Sequence, residues 1–150
     1  MISKLAKMRS NREAGFTLIE LLIVVAIIGI IAAIAVPSLL NAVQRARQKR
    51  SMADMRSIGT ALESYNVDNF FYPSALAPLT PTYIAVVPTV DGWQTAFDYS
   101  EGDDAYTLIS YGRDQVVGDC DDPDGRTNNF DCDICFRIGQ FIQYPEGVQN

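Results

Sequence analysis

Seven aspartates, Asp114, Asp119, Asp121, Asp122, Asp124, Asp131 and Asp133, fall within 20 positions of this 150-residue chain. Like charges at that density repel one another unless water solvates them or a cation is shared. Hard carboxylate oxygens in a chain with no histidine suit Ca²⁺ better than a transition metal. An EF-hand register fails: counted from Asp119, the fifth loop position is Pro123 and no glutamate closes the loop. A solvated acidic loop is the alternative. Cys120, Cys132 and Cys135 share the segment, and three cysteines leave at least one thiol outside any intrachain disulfide. In an oxidising compartment a disulfide from Cys120 to Cys132 or to Cys135 would staple this loop. Zinc would need a fourth ligand, and a thioredoxin-like redox motif would need a strand–helix context that the segment lacks.

One further carboxylate stands apart. Glu20 sits at the head of an apolar run in which every residue from Leu21 to Val36 is apolar or glycine. With Phe16–Ile19 the segment reaches 21 residues. At about 1.5 Å per residue that spans a hydrocarbon core. A domain this small cannot surround a helix that is apolar on every face. A secretory signal peptide would be cut after Ala33-Ile34-Ala35, but its apolar core of about 20 residues exceeds the usual 7–15. It would also contain Glu20, and the apolar pattern resumes beyond Pro37 at Leu39, Leu40 and Val43. A membrane-spanning helix remains, and a carboxylate within it is functional by default. Lys4, Lys7, Arg9 and Arg12 precede it and fit a cytoplasmic N-terminus, but the basic residues from Arg45 to Arg50 on its far side weaken that positive-inside vote.

Gly15-Phe16-Thr17-Leu18-Ile19-Glu20, followed by the apolar run and Pro37, resembles the N-terminus of type IV pilins and type II secretion pseudopilins. The resemblance implies that a prepilin peptidase cuts between Gly15 and Phe16 and methylates the amine of Phe16. It implies that Glu20 of one subunit neutralises the Phe16 amine of its neighbour as a filament assembles. A shifted subunit would then leave two unpaired charges in a dry core. The resemblance also suggests that helical order is lost around Gly29–Pro37 in the packed filament.

The elements that must carry these residues follow from spacing. Leu39, Val43 and Ala46, then Met55, Ile58, Leu62 and Tyr65, are three or four apart, so residues 38–69 continue the helix with a stripe that a sheet can cover. Arg45, Arg47, Lys49 and Arg50 interrupt the stripe with a basic band, read as a solvated face or as a contact for acidic neighbours or lipid headgroups. Tyr72-Pro73 ends the helical pattern, and a short helix is expected near Ser74–Leu79. Ala96–Ser100, Tyr106–Tyr111 and Ile134–Gly139 read as strands. Residues 72–100, with Asp91, Trp93 and Phe97, resemble the loop and first strand of the major pseudopilin. In that family a Ser-x-Gly-x-Asp segment and a later Asp-Ile hold calcium. Ser110–Asp114 and Asp133-Ile134 match, so the resemblance makes Asp114 and Asp133 calcium ligands, with Asp131 and Asp119 as weaker candidates.

The expected fold is α+β: a long N-terminal hydrophobic helix, transmembrane and then amphipathic, on a small antiparallel pilin-like sheet. Residues 1–15 form a leader, 16–37 the membrane and filament-core helix, and 38–150 the globular domain. From Ser57 onward 15 acidic residues face 3 basic ones, so nucleic acid is not an expected partner. The absence of histidine argues against an enzyme. The expected function is that of a structural subunit of a type II secretion pseudopilus. Its implied partners are its own copies, prepilin peptidase, minor pseudopilins, an inner-membrane assembly platform and the bacterial inner membrane. The globular domain would be periplasmic. A type IV pilus subunit is the alternative. A membrane-anchored calcium-binding or redox module that never polymerises is a third reading.

Overall fold

A computed structural model describes residues 15–102, 104–118, 125–147 and 149. Helix α1, Leu18–Asn69, is 52 residues long. The chain divides into two compact units between Pro37 and Ser38. In the first unit the helix is bare, with its large apolar side chains from Leu18 to Val36 51–79% exposed. The single chain is helical through Gly29 and Pro37.

In the second unit Gln48, Ser51, Met55, Ile58 and Leu62 are buried, at alternating spacings of three and four. The expected stripe therefore begins later than its apolar residues suggested. Leu39 and Val43 stay exposed, and its first turns are polar side chains with distant partners. Ser51 Oγ accepts the Gly92 N–H at 2.9 Å, and Gln48 Nε2 donates to Gln149 Oε1 at 3.3 Å. The helix ends where Phe70 takes a left-handed φ of 64° and its N–H bonds the Asn66 carbonyl at 2.7 Å. A 3₁₀ turn follows at Ala77–Leu79, where a short helix was expected.

The strands are β1 Asp98–Glu101, β2 Tyr106–Ser110, β3 Arg126–Thr127, β4 Ile134–Arg137 and β5 Gln140–Pro145. Their order in the sheet is β1-β2-β4-β5-β3. All pairs are antiparallel except β3 with β5, so the sheet is mixed rather than antiparallel throughout. The third expected strand, Ile134–Gly139, is cut short because Ile138 and Gly139 have positive φ and form a two-residue hairpin turn into β5. Tyr106 and Leu108 of β2 and Ile134 and Phe136 of β4 face Met55, Ile58 and Leu62 of α1 to form the core.

Candidate functional site

Three constellations bear on function. The first is the start of α1. Thr17 precedes the helix, and its N–H and hydroxyl both donate to Glu20 Oε2, at 2.9 and 2.8 Å. The Glu20 N–H returns a bond to Thr17 Oγ1 at 3.3 Å. This reciprocal arrangement is a capping box, with Glu20 at its third helical position. Phe16 is 91% exposed. Among the described residues, a Cβ added at Gly15 would meet nothing within 4 Å. Packing among the described residues therefore does not require glycine there.

The second constellation joins segment 110–118 to segment 129–134. Gly112 has φ +67°, and a Cβ there would lie 2.7–2.8 Å from the carbonyl oxygens of Phe130, Asp131 and Cys132. Only glycine permits that approach. The Arg113 N–H bonds the Phe130 carbonyl at 2.8 Å. Asp114 Oδ1 accepts the Val116 N–H at 3.1 Å, and Asp133 Oδ2 accepts the Gly118 N–H at 2.9 Å. The loop that carries Asp114 thus closes onto the buried Asp133 at the head of β4.

Asp131 departs from the expectation that it faces a cation. Both its oxygens take Arg113, Nε to Oδ1 and a terminal nitrogen to Oδ2, each at 2.6 Å. That bidentate pair holds the Asp131 carboxyl below its ordinary range and raises the guanidinium. A second cation at Asp131 would meet the guanidinium charge. Ser110 also turns elsewhere, donating to Asp91. Among the described residues no group of three or more Asp, Glu, Cys or His side chains is placed to hold a metal. Asp119 and Cys120 lie outside the described residues, as do Asp121, Asp122 and Asp124. Cys132 is buried and disulfide-bonded, while Cys135 is a thiol, so the two are not bonded to each other.

The third constellation escaped sequence reasoning as a site. Asp91 is fully buried. Its Oδ1 accepts the N–H groups of Trp93 and Thr95, each at 2.9 Å, and its Oδ2 accepts the Ser110 hydroxyl at 2.7 Å. Gly92 lies so close to α1 that a Cβ would stand 2.2 Å from the Arg47 carbonyl oxygen. Trp93 Nε1 donates to Gln44 Oε1 at 2.7 Å. One carboxylate therefore fixes the turn that clamps α1 to the sheet. The available signal was Asp followed by Gly in a turn, where an aspartate bonds the backbone two residues on.

Residues 10–36 match the prokaryotic N-terminal methylation motif, and residues 38–128 match the family described as Type II secretion system (T2SS), protein G. The type II secretion system core protein G of Pseudomonas aeruginosa is 33% identical over 145 residues, covering 83% of this chain and 99% of that protein. The core protein G of Vibrio cholerae is 33% identical over 131 residues, covering 73% and 89%. That of Escherichia coli is 31% identical over 134 residues, covering 75% and 90%.

Proposed function

From the premise that this chain belongs to the protein G family of the type II secretion system, we propose that it is the repeating subunit of a secretion pseudopilus. Residues 1–15 are a leader that stays cytoplasmic. The apolar part of α1 crosses the inner membrane once, and residues 38–150 lie in the periplasm. Prepilin peptidase cuts between Gly15 and Phe16 and methylates the new amine. The open space around Gly15 among the described residues supports this reading, because a glycine that packing does not need is explained by a protease that does. Minor pseudopilins and an inner-membrane assembly platform are the further partners.

The observation that carries the proposal is the naked helix. The large apolar side chains from Leu18 to Val36 are all more than half exposed. Lipid covers such a surface in the membrane, and copies of the same helix cover it in a filament. Glu20 then pairs with the Phe16 amine of a neighbour and sets the register. The pilus alternative is not retained, since the matching family is the secretion protein. A redox module has little support, because Cys132 and Cys135 are not bonded to each other.

The test is Glu20→Ala in the full chain. Membrane insertion and the N-methyl-Phe16 terminus, read by mass spectrometry, should persist while sheared filament disappears. Normal filament from that variant would reject the docking role.

Calcium belongs to the same proposal. The chain's hard oxygen donors fit that cation, and the Gly118–Asp133 bond draws the Asp114 loop to the Asp133 carboxylate. Asp114 and Asp133 would hold it, with backbone carbonyls and Asp119 as further donors. Bound calcium would supply charge neutralisation for the acidic loop. A disulfide between Cys120 and Cys132 would staple that loop covalently.

A further inference from the structure

The described cations and anions sort unevenly into paired and unpaired sets. Asp131 pairs with Arg113, Glu146 with Arg126 and Asp54 with Arg50. Glu63, Asp68 and Asp98 accept tyrosine hydroxyls. Among the described residues, Arg45, Arg47, Lys49 and Arg56 on α1 and Arg137 on β4 are exposed and have no ion pair, and neither do the exposed Glu101, Asp104 and Asp114. Arg47, beside the paired Arg50, and the two carboxylates Glu101 and Asp104 each sit on a distinct shape. Arg47 and Arg50 line an open cleft of about 440 Å³ between α1 and the Gly92–Gln94 turn, floored by Val43, Ala46 and Trp93. Glu101 and Asp104 lie at the tip of the β1–β2 hairpin, closed by the Gly102 N–H to the Ala105 carbonyl at 2.7 Å.

The cleft and the tip cannot meet within one chain. Glu101, beside the tip, pairs with Tyr106, whose ring packs edge-on against Tyr72 at 4.9 Å, and the Tyr72 hydroxyl bonds Glu63 at 3.2 Å. The tip is therefore level with Glu63 on α1, while the cleft is level with Arg47. Sixteen helical positions separate them, about 24 Å at 1.5 Å per residue. Resting on the filament reading above, we propose that the basic cleft of one subunit receives the acidic β1–β2 hairpin tip of a second copy, staggered by about 24 Å along the helix direction. The charge balance favours this occupant over anionic lipid: 15 acidic residues against 3 basic ones from Ser57 onward make a second copy a concentrated source of carboxylates. A basic collar on an acidic subunit also specifies which surfaces meet, because like-charged pairings are repelled.

Charge exchange in the full chain, assembled by its own secretion machinery, tests this. Arg47→Glu and Glu101→Arg should each lower sheared filament about tenfold, at unchanged subunit level in the membrane. The double variant should return to within about twofold of the wild type, as a reciprocal pair requires. Single reversals that assemble normally overturn the proposal. So does a double variant no better than the worse single, which is the outcome that lipid binding by the collar predicts. Wild-type filaments with unrescued reversals reject the pairing alone, whereas a wild-type chain that makes no filament rejects the filament reading and the pairing with it.

Discussion

Asp91→Ala should unfold the junction between helix and sheet more than any exposed substitution. The side chain is 0% exposed and accepts three hydrogen bonds, from the N–H groups of Trp93 and Thr95 and from the Ser110 hydroxyl. Bonds to a charged acceptor contribute roughly 1.5–3 kcal/mol each, and a buried donor left without a partner costs about 1–3 kcal/mol. The three are not additive, since the loosened turn lets water reach some donors, so the expected loss is about 3–5 kcal/mol. In a domain of this size each kcal/mol lowers the melting temperature by about 4 °C, which places the shift near 12–20 °C. The assay is thermal unfolding of residues 38–150, which contain every buried core side chain. Asp91→Asn separates the acceptor role from mere volume. It keeps the oxygen for Trp93 and Thr95 and offers an N–H to the Ser110 oxygen, so it should cost less than half as much. An alanine variant that melts within about 4 °C of wild type would refute the reasoning. So would an asparagine variant as unstable as the alanine.

Alkaline pH should weaken the same domain over a defined window. Burial pushes the Tyr99 and Tyr106 phenols up to about 12, and the hydrogen bond to Asp98 does the same for Tyr111, from an ordinary value of 10.0. A raised folded value means that the contribution is complete below pH 10 and is lost as pH rises from 10 towards 12. Tyrosinate absorbance tracking unfolding in that window is the expected result, and Tyr111→Phe should lose part of the dependence; ionisation of these three phenols near 10 without loss of stability would contradict it. Calcium should raise the melting temperature of wild type, by an amount that grows with its concentration. Chelation should reverse the rise and Asp114→Ala should abolish it, while an unchanged melting temperature at millimolar calcium would reject the calcium site.

The parts of this fold that were legible in the sequence are those whose signal is local. The bare stretch of α1 announces itself because every face is apolar, and the Tyr106–Ser110 strand because aromatic and β-branched residues fill it between an acidic turn and a glycine. What escaped depends on partners far along the chain. Gln48 and Ser51 carry no apolar signal, yet both are buried, because their partners Gln149 and Gly92 lie 101 and 41 positions away. Strand β3 is two residues long and exists only through its parallel pairing with Tyr144 and Pro145. The Ile138-Gly139 turn was hidden by a β-branched residue in a conformation that such residues disfavour. In the acidic loop, composition gave the charge but not its division. Asp131 belongs to Arg113 and Asp133 to the Gly118 N–H, and nothing in a run of aspartates distinguishes them.

Glu20 shows how a residue can carry two physical demands at once. Hydropathy makes its carboxylate an anomaly to be explained by a partner outside the chain. The Thr17-x-x-Glu20 spacing makes it a helix cap, satisfied inside the chain. The two roles need not compete. Both Thr17 donors converge on Oε2, and Oε1 takes no hydrogen bond among the described residues. On the proposed docking, the Phe16 amine of an arriving subunit can approach Oε1 while Thr17 still holds Oε2. The cap fixes where the charge stands before the partner arrives, so the carboxylate reaches the docking step with its rotamer already set and little side-chain entropy left to lose. A free, snorkelling glutamate would reach the same partner only after leaving the membrane edge and ordering its side chain. The capping box thus gives a physical reason why the apolar run of α1 carries its single carboxylate at the third helical position.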